Sequence, residues 1–319
     1  MRRLTGILGA IALSVAFCAT LPARAEDCPI IDLMPAYWQL VESTQSASDE
    51  EKIARFRAAL VTPNGSLYGA DGLGFTDAAK LDKAILRSFA HADHDRPAIE
   101  RMGRFIQGRM PLMVREFRRS FPDFRCDFPI YLLPSLGQMD GAGRQIDGQP
   151  ALLFGVEVIA ATHTEQNFPV FADHELFHRY HYQAAGMSDD VGPGQAFWKA
   201  LWAEGLATYV SLALNPGTSL DVALFDDKIV PRANEHFPAL LGEIQADFDD
   251  TGAEPFSRFF MGSTTPGLYP PPRSGYYFGA LTAQALAKTL TLEQLAHLSP
   301  PDARARILTV LPGLTPALP

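Results

Sequence analysis

The nine residues Asp173-His174-Glu175-Leu176-Phe177-His178-Arg179-Tyr180-His181 constrain this 319-residue chain more than any other stretch. Read on a helix, His-Glu-x-x-His puts His174 and His178 one turn apart on one face, where both imidazoles reach a single ion. Glu175 then stands about 100° round the helix, placed to take a proton from a metal-bound water and pass it to a leaving amine. The flanks suit a buried helix: Phe168, Phe171, Leu176, Phe177 and Tyr180 are apolar, Asn167-Phe168-Pro169 can start the helix and Gly186 can end it. Two histidines do not make a catalytic zinc site, which takes three protein ligands and leaves a fourth position open. The fold must therefore bring a third ligand to this helix from elsewhere.

The next helical run, residues 197–210, carries one acid, Glu204, among Leu201, Trp202, Leu206 and Val210. A lone carboxylate in such a run is expensive to bury unless it is paired or binds a metal. The loop at 188–194 allows a reversal, and Gly205 and Ala207 are small enough for two helices to approach closely. His181, at i+7 from His174, returns to nearly the same face. A straight helix does not bring three imidazoles to one point, so His181 is expected beside the site rather than in it.

His-Glu-Leu-Phe-His followed by Trp202-Ala203-Glu204-Gly205-Leu206-Ala207-Thr208-Tyr209 resembles the gluzincin zinc metallopeptidases. The chain is most similar to an uncharacterised bacterial family of zinc-dependent proteases with a Gly-Tyr-aromatic-x-Gly segment, like Gly275-Tyr276-Tyr277-Phe278-Gly279 here. The likeness spans about residues 150–290; the N-terminal third resembles no family. It implies an α+β, predominantly helical, zincin-like metallopeptidase with a small sheet and a helical active-site region. It further implies Zn2+ held by His174, His178 and Glu204, with Glu175 as the base and a peptide or protein as substrate. An edge strand before the metal helix, expected at 151–156, would bind that substrate by strand addition. A tyrosine opening the last long helix, Tyr276 first and Tyr277 second, is the expected donor to the oxyanion. Two other readings stay open: a catalytically silent metal-binding or interaction module, and a zinc amidase acting on cell-wall peptides.

Residues 1–25 have the parts of a secretory signal peptide: Arg2-Arg3, an uncharged run at 4–22, and Ala23-Arg24-Ala25. Cleavage after Ala25 predicts a periplasmic or secreted protein with no stable membrane anchor. Taking Arg2, Arg3 and Arg24 from the 27 basic residues leaves 24 against 36 acidic ones, a charge of −12. Nucleic acid is thereby excluded as a partner. Cys28 and Cys126 are the two cysteines left, and in an oxidising compartment they predict one disulfide.

The pattern divides the remainder into a helical N-terminal part, 26–125, and a metallopeptidase region, 126–319. Apolar spacing predicts helices at 48–60, 76–89 and 98–121, with His91-Ala92-Asp93-His94-Asp95 capping the third before Pro97 and Pro111 kinking it. Arg101, Arg104, Arg115, Arg118 and Arg119 fall opposite its apolar stripe, on a solvated or internally paired face. Segments 128–133 and 150–156 read as strands around a Gly-rich turn, and 311–319 as a frayed tail.

Overall fold

The computed structural model describes residues 28–187, 191–261 and 270–317; the expected signal peptide lies outside the described residues. The described chain is α+β and predominantly helical. Its one sheet has four strands: β1 (Ile30–Asp32), β2 (Ile130–Leu133), β3 (Gly141–Ile146) and β4 (Gln149–Gly155). The spatial order is β1-β2-β4-β3; the first three run parallel and β3 pairs antiparallel on the edge. A disulfide joins Cys28 to Cys126 with their Cα atoms 5.0 Å apart, tying together the chain entering β1 and β2.

Between β1 and β2 lie α1 (Met34–Ser43), α2 (Asp49–Phe56) and α3 (Ala78–Ser120). The two helices expected at 76–89 and 98–121 are one 43-residue helix that runs through both Pro97 and Pro111. Its stripe explains this: Leu81, Ile85, Ile99, Met102, Ile106, Met110, Met113 and Phe117 are all buried along one continuous face. Burying each large side chain contributes roughly 1.5–3 kcal/mol. Together they outweigh the ~3 kcal/mol that an interior proline costs. The 91–95 stretch is consequently mid-helix rather than a cap. On the outer face Arg101 approaches Glu165 and Arg104 approaches Glu100, so part of the arginine row is paired with the chain's own acids.

Two expectations about the sheet are corrected. The Gly-rich stretch between the sequence-read strands is itself strand β3. Asp147 and Gly148, both at positive φ (51° and 76°), form a two-residue hairpin turn that sets Ile146 opposite Gln149. The strand at 151–156 is the body of β4, which lies inside the sheet between β2 and β3 and has no free edge. Glycine is required on β3 by crowding: a Cβ on Gly141 would lie 2.6 Å from Phe171 Cζ and 3.1 Å from Glu175 Cγ.

After β4 come α4 (Val156–Thr162), α5 (Phe168–Ala185) and α6 (Phe197–Leu214). Shorter helices follow: α7 (Leu220–Leu224), α8 (Ile229–Glu235), α9 (Phe237–Ala246) and α10 (Ala253–Phe256). The chain closes with α11 (Ser274–Leu286), α12 (Leu292–Ala296) and α13 (Pro300–Val310). Helix α5 packs against β3 and β4 on one side and α6 on the other, and α6 packs against α11. Gly205 serves this last contact rather than the approach of α6 to α5, since a Cβ there would lie 2.1 Å from the Gly279 carbonyl carbon. The expected frayed tail is docked. Leu311 is buried, and Ala317 donates its amide to Tyr277 Oη (2.8 Å) and accepts from Asn234 Nδ2 (3.2 Å). No helix among the described residues is long and apolar enough to cross a membrane.

Candidate metal centre

Helix α5 is buried from Phe168 through most of its length, and its polar residues have nowhere to go but inward. Pro169 in the first turn and Gly186 in the left-handed C-cap fix its ends, as the sequence predicts. His174 and His178, one turn apart, direct their Nε2 atoms to a point 3.0 Å from one another. Glu204 on α6 brings Oε2 to 3.3 Å from each. Among the described residues this is the one His, Cys, Asp and Glu group with the geometry to hold a metal ion.

The triangle of 3.0, 3.3 and 3.3 Å suits a cation. Ligands about 2.0–2.2 Å from a tetrahedral ion stand roughly 3.3–3.5 Å apart, and two imidazoles with one glutamate form a known catalytic zinc donor set. At 3.0 Å only one of the facing Nε2 atoms can donate to the other, whereas an ion satisfies all three ligand atoms at once. Burial raises the Glu204 carboxyl, but the adjacent His178 and His174 more than offset it and hold the group well below the usual carboxylate range. Burial pushes His174 down, towards the neutral imidazole that metals take.

Glu175 is buried and opens onto the same cavity of about 360 Å3 as His174, His178, Glu204 and Tyr276. Burial pushes its carboxyl up to about 7. Tyr276, at the start of α11, is half-buried with its ring centroid 6.3 Å from that of His174, and burial keeps its phenol protonated well above the ordinary range. Tyr277 points elsewhere: it is fully buried and its hydroxyl donates to Asn234 Oδ1 (2.7 Å) while accepting from Ala317. His181 is buried among Phe177, Tyr182 and Trp202, and neither ring nitrogen has a hydrogen-bond partner. Burial pushes it down to about 3, so it is a neutral core side chain outside the metal group.

The opposite wall was not legible from the sequence. Residues 141–144 of β3 line it, and Asp140, just before, pairs with buried His163 (3.0 Å), which stacks on Phe171. Arg144 and Arg273 complete the rim. The Asp147-Gly148 turn was the signal for β3, since such a dipeptide demands a strand on either side. No local spacing signals the Asp140–His163 pair or Arg273. Comparison with protein-family models, with curated proteins and with solved structures finds no match for this chain.

Proposed function

We propose that this chain is an exported zinc metallopeptidase of gluzincin type with a zincin-like active-site region, acting on peptides or proteins. The observation that carries the reading is the convergence of His174, His178 and Glu204 to within 3.3 Å, with Glu175 beside them in one open cavity. When bound, Zn2+ supplies the Lewis acidity that activates water at neutral pH and polarises a carbonyl. Glu175 accepts the proton of the attacking water and delivers it to the leaving amine; a carboxyl pushed up to about 7 is matched to both tasks. The Tyr276 phenol donates a hydrogen bond to the developing oxyanion. Edge strand β3, along residues 141–144, receives an extended peptide backbone by strand addition. Export is supported by the signal-like leader and by the Cys28–Cys126 bond.

Zinc content and peptide hydrolysis measured on the same preparations test the reading. Glu175→Gln is expected to keep near-stoichiometric zinc while turnover falls by about 10²–10⁴, the range for loss of a general base. Glu204→Ala is expected to lose both zinc and turnover. Full zinc retention in Glu204→Ala would remove Glu204 from the ligand set and with it the gluzincin assignment.

A further inference from the structure

Two arginines reach the cavity, and their settings differ. Arg144 is anchored to backbone, its Nε donating to the Gly72 carbonyl (3.1 Å) and Nη1 to the Gly143 carbonyl (2.9 Å). Arg273 lies at the N-cap of α11 with its guanidinium carbon 4.6 Å from the centroid of the Tyr276 ring. No carboxylate among the described residues is within ion-pairing distance of it. Two of the three acids that line the cavity are engaged elsewhere, Glu204 with His174 and His178 and Asp140 with His163; the third, Glu175, is the base of the proposed reaction.

Arg273 also has φ 60°, a left-handed conformation that glycine adopts freely and a residue with a side chain does not. A guanidinium here, moreover, repels a metal cation at the neighbouring ligands. Stacking on Tyr276 fixes the guanidinium but does not require a charge. An anion entering from the substrate removes both electrostatic objections, because it neutralises the guanidinium and lies beside the metal. The planar fork of arginine fits a carboxylate bidentately.

We infer that Arg273 binds a carboxylate of the substrate, so that the site takes peptides with a carboxylate near the cleaved bond, either a free C-terminus or an acidic side chain. The inference rests on the peptidase reading and deepens it by naming the substrate class.

The test uses one peptide sequence made as the free acid, as the C-terminal amide, and as amides with Glu or Gln on either side of the cleaved bond. Zinc-loaded wild type, Arg273→Gly and Arg273→Lys are compared by kcat and KM. Glycine suits the backbone at 273, and an unlowered Tm with full zinc content verifies that the variant is intact. Wild type is expected to prefer one carboxylate form over its neutral counterpart by about 10- to 100-fold, the worth of hydrogen bonds to a charged group. Which form is preferred, free acid or Glu peptide, identifies the source of the carboxylate. Arg273→Gly is expected to erase the preference through KM, and Arg273→Lys to keep part of it.

Equal cleavage of acid and neutral peptides by wild type overturns the inference while leaving the peptidase reading intact. So does a loss in Arg273→Gly that is the same for every peptide. If wild type cleaves none of them, the peptidase reading fails and calorimetric binding of the same peptides decides. Tighter binding of a carboxylate form that disappears in Arg273→Gly sustains the carboxylate site; equal binding of all forms ends it.

Discussion

Helices α3 and α5 handle charge in opposite ways. Along α3 the buried stripe is wholly apolar and the arginines stand outside; along α5 Asp173, His174, Glu175, His178, Arg179 and His181 are all buried. A helix like α3 is stabilised by its buried face and indifferent to its outer one. A helix like α5 carries buried polar groups that cost stability unless each finds a partner, and here several find theirs on other elements. Asp173 accepts from Asn215 Nδ2 (2.7 Å), Arg179 lies over Phe128, and the two histidines meet Glu204. Packing accounts for the composition of α3 but not for that of α5, and it is α5 that supplies two of the three residues of the candidate metal group.

That contrast can be broken by substitution, and the largest effect is expected on α3. Ile106 is fully buried, so Ile106→Ala should cost about 2–5 kcal/mol in denaturant unfolding while the folded fraction keeps its zinc. Arg101→Ala, on the exposed face, should leave Tm where it is. Release of zinc by Ile106→Ala before unfolding would mean that α3 is part of the site rather than its support.

A smaller loss is expected at the contact of α6 with α11. Gly205→Ala adds a methyl where backbone already lies, which should cost about 1–3 kcal/mol. Because residue 205 adjoins Glu204, zinc affinity should fall as well, a coupling that competition with a chelator would measure. Unchanged affinity would show that Glu204 is positioned independently of this contact.

The smallest change should have the opposite sign. His181→Leu removes two buried nitrogens without partners and is expected to raise stability by about 1 kcal/mol at pH 7 with zinc content unchanged. Its pH dependence sharpens the contrast. Unfolded, the imidazole takes a proton below its ordinary value of 6.5; folded, it resists until about 3. The unfolded state therefore binds more protons in that window, and wild-type stability falls as pH falls from 6.5 towards 3. His181→Leu should flatten that slope in unfolding curves collected across the range. Loss of zinc in this variant would instead place His181 among the ligands.

What could be read in advance follows the same division. His174, Glu175 and His178 were legible because their spacing is a local code on one helix face, and Glu204 because an acid in an apolar run calls for a partner. The stripe of α3 was legible, but its continuity through Pro97 and Pro111 was not, because that depends on summed burial rather than on any residue. Strand β3 escaped because Gly141-Ala142-Gly143-Arg144-Gln145 has none of the residues that favour strands. Gly141 answers to Phe171 and Glu175 and Gly143 to Arg179, some thirty residues or more away, and the strand's pairing to β4. The tail was misread for a similar reason, since only Asn234 and Tyr277 reveal that Ala317 has a seat.

The sheet joins Ile30 to Ile130, and the bond between Cys28 and Cys126 closes a loop with a sequence separation of 98. Bringing together ends so far apart is slow and entropically costly, of the order of 4–5 kcal/mol for about a hundred residues in the chain-entropy view. Strand β1 has only three residues with which to meet that cost. Once the cysteines are joined, the longest-range pairing in the sheet becomes a local one, and α1, α2 and α3 have only to condense within a ring already drawn.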